Sequence, residues 1–334
     1  MAMRIFVTGA TGFVGRNFLT WLLAHQPDVE ITCLARDPKK AKAQWPQQPS
    51  NLHWLHGDLL EPATYQAAVV QADRVFHLAA LVSLKNGPDF YRMNTDATHC
   101  LVNALSGSKL LQRLVFLGSI SAVDRPLDQP AIGPLTEESV PHPNTDYGKS
   151  KLQAGECIIR SGLPYTILRP PYIFGPHARR NSSIDRLVRD MLAGATYLRF
   201  PFPGRASVIT VDDLSEMLWL AGWHPKAKNE TFFVANPSSP RITDAFAQLA
   251  QALEVPFEPL QLSPEQIERY QRRWAAAHPN HLVLRILFED FFYCSVDKWV
   301  RLTGHQPQAG YQAGLERMIG WYRAQERLHT NTIS

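Results

Sequence analysis

A short apolar run, Arg4-Ile5-Phe6-Val7-Thr8, passes directly into Gly9-Ala10-Thr11-Gly12-Phe13-Val14-Gly15 and then into a helical pattern. Few local sequences restrict a fold so tightly. A strand that ends in a glycine-spaced turn and feeds a helix is the opening unit of a βαβ fold, and each glycine has a task there. Gly9 permits the tight turn, Gly12 lets the backbone approach a pyrophosphate, and Gly15 allows the helix to pack closely on the strand. Ala10, Thr11, Phe13 and Val14 complete the turn and the first helical residues, where free N–H groups and the positive dipole end suit an anion. Glycine spacing alone is weak evidence; the strand–turn–helix context makes residues Gly9 to Gly15 a dinucleotide-binding turn.

The same alternation continues. Strands are expected at residues 31–35, 52–55, 74–78, 114–117 and 165–168, with helices at 13–24, 63–70, 89–105 and 146–160 between them. Short β-branched runs separated by helices are what buried parallel strands with right-handed crossovers require. The expected fold class is α/β, a Rossmann-type doubly wound parallel sheet with its ligand site beyond the C-terminal ends of the strands. After Arg169 the texture changes: Pro170, Pro171, Gly175, Pro176, Pro201, Pro203 and Gly204 punctuate the chain, and from 264 to 322 the pattern is mostly helical. Residues 1–169 are therefore expected to form the dinucleotide-binding domain. Residues 170–334 are expected to form a smaller, mainly helical substrate-binding part, with one strand near 231–235 returning to the main sheet.

Composition narrows the partners. Hydrophobic residues make up 45% of the 334 and charged residues 19%, as in an ordinary packed globular protein. The net charge of +4 is dispersed, with no Lys/Arg block to track a nucleic-acid backbone. Cys33, Cys100, Cys157 and Cys294 lie far apart without a C-x-x-C pair, which reads as reduced thiols in a cytosolic compartment. The strand begins too close to Met1 for a signal peptide, and no apolar run approaches the ~18 residues of a membrane span. A soluble cytoplasmic protein is expected, with no membrane or nucleic-acid partner. The 12 histidines are scattered and suggest no metal site.

The second strand bears on the choice of cofactor. NAD-binding turns place Asp or Glu at its end to hold the ribose hydroxyls. Here Ala35 stands where the acid would sit, and Arg36 next to it offers charge-assisted bonds to a 2′-phosphate. NADP(H) is therefore favoured over NAD(H). Gly57-Asp58-Leu59 follows the third strand, where the Asp58 carboxylate could accept the adenine amino group or cap a helix.

Tyr147-Gly148-Lys149-Ser150-Lys151 places a phenol and an ammonium four apart on one helical face. A tyrosine with its ordinary pKa of about 10 is a poor proton shuttle near neutrality, and a neighbouring cation would lower it. Upstream, Val115-Phe116-Leu117-Gly118-Ser119-Ile120-Ser121 reads as a buried strand ending in hydroxyls at the sheet edge where the site must lie. Ser119 or Ser121 could bond a substrate oxygen there and stabilise developing alkoxide charge. Taken singly, either serine could equally be a turn residue bonding its own backbone. Ser119, Tyr147 and Lys151 are the candidate catalytic set.

With these residues in order, the chain resembles the extended short-chain dehydrogenase/reductase family over nearly its whole length. The resemblance rests on Thr8–Gly15, His77-Leu78-Ala79-Ala80, Asn94, Gly118-Ser119, Tyr147 with Lys151, and Arg169-Pro170-Pro171-Tyr172-Ile173-Phe174-Gly175-Pro176. It implies that Ser119 orients the substrate oxygen, Tyr147 exchanges its proton, and Lys151 also bonds the nicotinamide ribose. It also implies that Leu78, Ala79, Ala80, Pro170, Tyr172 and Ile173 border the cofactor. A homodimer through the helices at 89–105 and 146–160 is implied as well.

Within the family, Leu34-Ala35-Arg36-Asp37 is similar to the carbonyl reductases related to dihydroflavonol reductase and 3β-hydroxysteroid dehydrogenase. Nucleotide-sugar epimerases usually carry a phosphate-holding asparagine where Tyr172 stands, and often an arginine where Ala206 stands, with Arg205 one position off. An NAD(P)H-dependent interconversion of carbonyl and alcohol on a mid-sized, largely apolar small molecule is expected. Epimerisation of a nucleotide sugar with tightly bound cofactor is the alternative. Tyr172, Phe174, Tyr197, Phe200 and Phe202 are expected to wall the pocket, although core anchoring explains the 197–203 segment almost as well. Arg179 and Arg180 could contact an anion or simply form a solvated face.

Overall fold

The computed structural model describes residues 2–45, 48–82, 87–237, 239–277, 281–308 and 310–325. In the first half, β1 (Arg4–Thr8), α1 (Phe13–His25), β2 (Glu30–Ala35), α2 (Pro38–Lys42), β3 (Leu52–His56) and α3 (Gln66–Val69) alternate. They are followed by β4 (Arg74–His77), α4 (Ala97–Leu105), β5 (Arg113–Leu117), α5 (Asp146–Arg160) and β6 (Tyr165–Arg169). The second half adds β7 (Tyr172–Phe174), α6 (Ser183–Leu192), β8 (Val208–Thr210), α7 (Val211–Trp223), β9 (Glu230–Phe233) and α8 (Ile242–Leu253). Four further helices complete it: α9 (Pro264–Ala277), α10 (Leu282–Phe288), α11 (Asp297–Thr303) and α12 (Tyr311–Ala324).

Seven parallel strands form the main sheet in the order β3-β2-β1-β4-β5-β6-β9. The strand near 231–235 does return: β9 pairs with β6, Thr231 opposite Ile167. Alternation along each strand sends successive side chains to opposite faces. Ile5, Val7 and Val115 meet Phe18 and Leu22 of α1 and Leu214 and Met217 of α7. Phe6, Leu114 and Phe116 meet Leu101 and Leu105 of α4 and Ala154 and Ile158 of α5. Each such burial contributes roughly 1.5–3 kcal/mol before the cost of ordering the chain. The order reverses between β1 and β4, which opens a crevice beyond their C-terminal ends.

Two expected helices differ in detail. The 63–70 helix is split at Tyr65, whose φ of −137° separates a short 3-10 turn from α3. Within the helix expected at 89–105, Tyr91–Asp96 is a π-helical stretch. It sits where the Asn94 amide turns inward and is consumed by distant partners: Oδ1 accepts the Leu81 N–H at 2.8 Å, while Nδ2 donates to the Leu81 carbonyl and the Ser150 hydroxyl. Single wide turns of this kind commonly stand beside functional sites.

The C-terminal region carries its own aromatic core. Phe200, at 6% exposure, and Phe202, at 2%, pack on Trp274 and Phe288 with ring centroids 5.2–6.3 Å apart. Both therefore anchor the core under α9, contrary to the expectation that they wall the pocket. Phe174 is likewise buried, against Tyr311, and Tyr197 is exposed with its hydroxyl on Asp190. Trp299 is fully buried against Phe232. All four cysteines are free thiols.

Candidate active site

Main-chain packing defines the glycine turn. Gly9 adopts φ +75°, and a Cβ there would lie 2.5 Å from the Ala79 nitrogen. A Cβ on Gly15 would fall 2.1 Å from the Gly9 carbonyl oxygen, so Gly15 spaces the helix from the turn itself rather than from the strand body. Gly12 caps α1 without a side-chain hydrogen bond, and no acid stands in the first turn. The dipole end and amides of Phe13 and Val14 thus stay available to an anion. Such a bare, glycine-lined helix start fits the pyrophosphate of a dinucleotide.

A buried hydrogen-bond chain fixes the neighbouring strand end. Thr98 Oγ1 donates to the Asn94 carbonyl at 2.6 Å, so it accepts from His77 Nε2 at 2.9 Å. His77 Nδ1 is then the acceptor for the Thr8 hydroxyl at 2.8 Å, and Thr8 accepts the Ala79 N–H at 3.3 Å. Burial and the nearby Lys151 hold His77 down at about 3, so the ring stays neutral. The chain ties β1, β4 and the π-helical turn together and sets Leu78, Ala79 and Ala80 at the crevice.

Around the expected adenosine end, Arg36 is exposed just past β2. Asp37 is committed to capping α2, its Oδ1 accepting the Lys40 N–H at 2.9 Å. Asp58 Oδ1 accepts the Leu60 N–H at 3.0 Å, the cap-like alternative, while the Leu59 carbonyl holds the Tyr65 hydroxyl.

Ser119, Tyr147 and Lys151 converge at the C-terminal end of β5. Thr145 caps α5, its Oγ1 accepting the Gly148 N–H at 3.0 Å, which starts the helix at Asp146, one residue before Tyr147. The Ser119 hydroxyl stands beside the Tyr147 phenol, close enough to influence it, and Ser119 Oγ accepts the Ser121 N–H at 3.2 Å. Ser121 itself lies in the following 3-10 turn, with its carbonyl oxygen against Gly148. Burial pushes the phenol up, while the neighbouring Ser119 hydroxyl and the Arg179 charge pull it down. Lys151 is buried with its Nζ 4.0 Å from the Phe116 ring, and burial pushes it down to about 7. Burial is the largest influence on both groups.

The Pro170 carbonyl accepts the Ile120 N–H at 3.0 Å, fixing β7 beside the serine turn. Ile173 packs into the main core, and Tyr172 is 38% exposed with its ring 6.0 Å from Phe292. Asn17 of α1 donates to the Pro176 carbonyl at 3.0 Å and so pins the Gly175-Pro176 bend to the glycine turn's helix. Ala206 is buried and bridges Phe292. Arg205 is bound to Asp290 through Nε at 3.1 Å and Nη2 at 2.6 Å, and stacks on Tyr293. One neighbour of the site escaped the sequence reading. Asp124, a lone acid five residues past Ser119, is buried; Arg179, weighed above as an anion contact or a solvated residue, also bears on Tyr147 through its charge. The only signal for Asp124 was an acid ending an apolar turn.

The chain belongs to the NAD dependent epimerase/dehydratase family, whose model matches residues 5–235. A UDP-glucose 4-epimerase of Vibrio cholerae is 26% identical over 272 residues, covering 77% of this chain and 77% of its own. A 4-hydroxy-2-methyl-3-oxo-4-farnesyl-3,4-dihydroquinoline-1-oxide ketoreductase of Stigmatella aurantiaca is 29% identical over 182 residues, 52% of this chain and 51% of its own. Among solved structures, dTDP-glucose 4,6-dehydratase of Bacillus anthracis in complex with NAD gives a TM-score of 0.76 at 17% identity, over 98% of both chains. That likeness speaks to the fold alone. The chain is thus an NAD(P)-dependent enzyme of the extended short-chain dehydrogenase/reductase type.

Proposed function

We propose that this enzyme interconverts a carbonyl and an alcohol on a mid-sized, largely apolar small molecule, using NADP(H) in preference to NAD(H). The observation that carries the reading is the placement of the Ser119 hydroxyl beside the Tyr147 phenol at the end of β5, with Lys151 one helical turn further on. In reduction, the Ser119 hydroxyl donates to the substrate oxygen and stabilises developing alkoxide charge. Tyr147 transfers its phenolic proton to that oxygen, and takes it back when the alcohol is oxidised. Lys151, poised near neutrality by burial, holds the ribose hydroxyls and backs the phenol with positive charge when protonated. The nicotinamide, when bound, supplies or accepts the hydride at the carbonyl carbon.

Three features favour the reductase branch near dihydroflavonol reductase and 3β-hydroxysteroid dehydrogenase. Tyr172 and Ala206 stand where phosphate-holding side chains would be sought, and Arg205 is already committed to Asp290. Burying a pyrophosphate without cationic or amide donors is costly. Ala35 and the exposed Arg36 support the preference for NADP(H). In this reading residues 1–169 bind the cofactor, residues 170–334 bind the substrate, and the π-helical turn with α4 and α5 forms the interface of a homodimer. No helix among the described residues is long and apolar enough to cross a membrane.

A panel of aromatic and alicyclic ketones and aldehydes, monitored by the absorbance of NADPH, tests the reading: at least one should be reduced with stoichiometric cofactor loss. The exposed Arg179 and Arg180 favour a second reading, epimerisation of a nucleotide sugar with retained cofactor. Calorimetric binding of UDP-, GDP- or dTDP-sugars at micromolar concentration, lost in Arg180→Ala, would put that reading in place of the first.

A further inference from the structure

Asp124 combines three unfavourable features. Its backbone stands at φ +43°, in the left-handed region, although it is not a glycine. Its side chain is buried, at 1% exposure, and Oδ1 has no hydrogen-bond partner among the described residues. Burial pushes the carboxyl up to about 7, against the lowering effect of two bonds from Asn144. Such strain and unmatched polarity persist where the surrounding geometry requires them.

What that residue secures is a junction. Asp124 Oδ2 accepts the backbone N–H of Asn144 at 3.2 Å and its Nδ2–H at 3.3 Å. Asn144 Nδ2 also donates to the Arg125 carbonyl at 2.8 Å, so the amide straddles both residues. Asn144 immediately precedes the α5 cap Thr145 and lies three residues before Tyr147. At a second point the same two segments touch closely: a Cβ on Gly148 would lie 2.2 Å from the Ser121 carbonyl oxygen. The turn that carries Ser119 and the helix start that carries Tyr147 are therefore joined at Ser121–Gly148 and at Asp124–Asn144.

We infer that Asp124 is a positioning residue, whose carboxylate, through Asn144, sets the separation between the Ser119 hydroxyl and the Tyr147 phenol. The inference rests on the reading of Ser119 and Tyr147 as the reacting pair, and on no particular substrate. Misplacement of reacting groups by one ångström can lower a rate about 10²-fold. Asp124→Asn keeps an oxygen that can accept from Asn144, whereas Asp124→Ala and Asn144→Ala remove the link from either side.

The test uses the full chain loaded with NADP+ or NADPH, first as crystal structures of the wild type, Asn144→Ala, Asp124→Ala and Asp124→Asn. The alanine variants should lengthen the Ser119 Oγ–Tyr147 Oη separation by about 1 Å, and Asp124→Asn should leave it close to the wild-type value. With any carbonyl compound that the wild type reduces, kcat should fall about 10²-fold in the alanine variants, while KM and cofactor affinity stay within about threefold. Asp124→Asn should recover most of that rate. A lowered melting temperature with an unchanged separation and unchanged kcat would overturn the inference. If Asp124→Ala does not fold, Asn144→Ala decides the matter. If no carbonyl compound is reduced, the reductase reading fails, and the measured separation still decides this one.

Discussion

The glycine turn and the clamp around residues 204–207 hold their surroundings by different means: the turn by main-chain contacts alone, the clamp by main-chain bonds with an ion pair added. In the turn, contacts run from main chain to main chain: Gly15 against the Gly9 carbonyl, Gly9 against the Ala79 nitrogen. At the clamp, partners come from far along the chain. The Gly204 N–H meets the Leu287 carbonyl at 3.0 Å, the Ser207 N–H meets the Phe292 carbonyl at 2.9 Å, and Arg205 grips Asp290 at 2.6 Å. A site built from backbone recognises what every dinucleotide has in common and tolerates almost no added atom. A side-chain pair such as Arg205–Asp290 can be changed by a single substitution while the sheet stays intact. The Ser119–Tyr147 junction lies between these extremes, with a backbone contact at Gly148 and a side-chain contact at Asn144.

The largest expected effect isolates the chemistry from both regions. Tyr147→Phe removes only the proton relay, so single-turnover rates should fall about 10²–10⁴-fold while cofactor affinity, read by fluorescence titration, is nearly kept. A variant retaining more than about half the wild-type rate would remove Tyr147 from the role of acid and base. Gly15→Ala probes the backbone-built end. Its Cβ would have to push past the Gly9 oxygen at 2.1 Å, with no flexible side chain to yield. A destabilisation of about 1–3 kcal/mol is expected, together with loss of most cofactor binding. Thermal melts with and without NADPH read both; wild-type affinity in Gly15→Ala would break the contrast drawn above.

That contrast also explains which parts were legible in the sequence. β1 and α5 were located to the residue, because their period and caps are local: alternating Ile5, Phe6 and Val7 in one, Thr145 and Asp146 in the other. The convergence of Ser119 and Tyr147 followed from sheet topology, since both had to reach the same edge. The π-helical turn at Tyr91–Asp96 was not legible, because its cause is a set of hydrogen bonds from Asn94 to Leu81 and Ser150. Phe200 and Phe202 read equally well as pocket or core, and only the positions of Trp274 and Phe288 distinguish them. Asp124 was overlooked because its meaning lies in Asn144, twenty residues away.

Arg36→Ala sharpens the backbone end, where one exposed side chain is expected to add selectivity to a turn that is otherwise indifferent to the 2′ position. NADP(H) affinity should fall roughly tenfold, about 1.4 kcal/mol, with NAD(H) affinity nearly unchanged. Fluorescence titration of both cofactors reads the ratio. A preference for NAD(H) that Arg36→Ala leaves alone would place the selectivity elsewhere.

The smallest expected effect is Arg205→Ala, and it separates the two readings of the clamp. The Arg205–Asp290 pair is partly exposed, at 43% and 25% of the side chains, so screening by solvent limits its contribution to about 0.2–1 kcal/mol. A melting temperature lower by on the order of 1–3 °C is expected. Reduction of a carbonyl substrate should change by less than about threefold, because the guanidinium is engaged by Asp290 and the Tyr293 ring and takes no part in the proton relay. A nucleotide-sugar enzyme that recruits this arginine for phosphate would behave otherwise. There, Asp290 would have to release the guanidinium, and its loss would remove a charge-assisted contact to the ligand. Calorimetry with UDP- and dTDP-sugars on the wild type and Arg205→Ala therefore discriminates. Wild-type binding that vanishes in the variant would show that the clamp is an open phosphate site, and the reductase reading would fall with it.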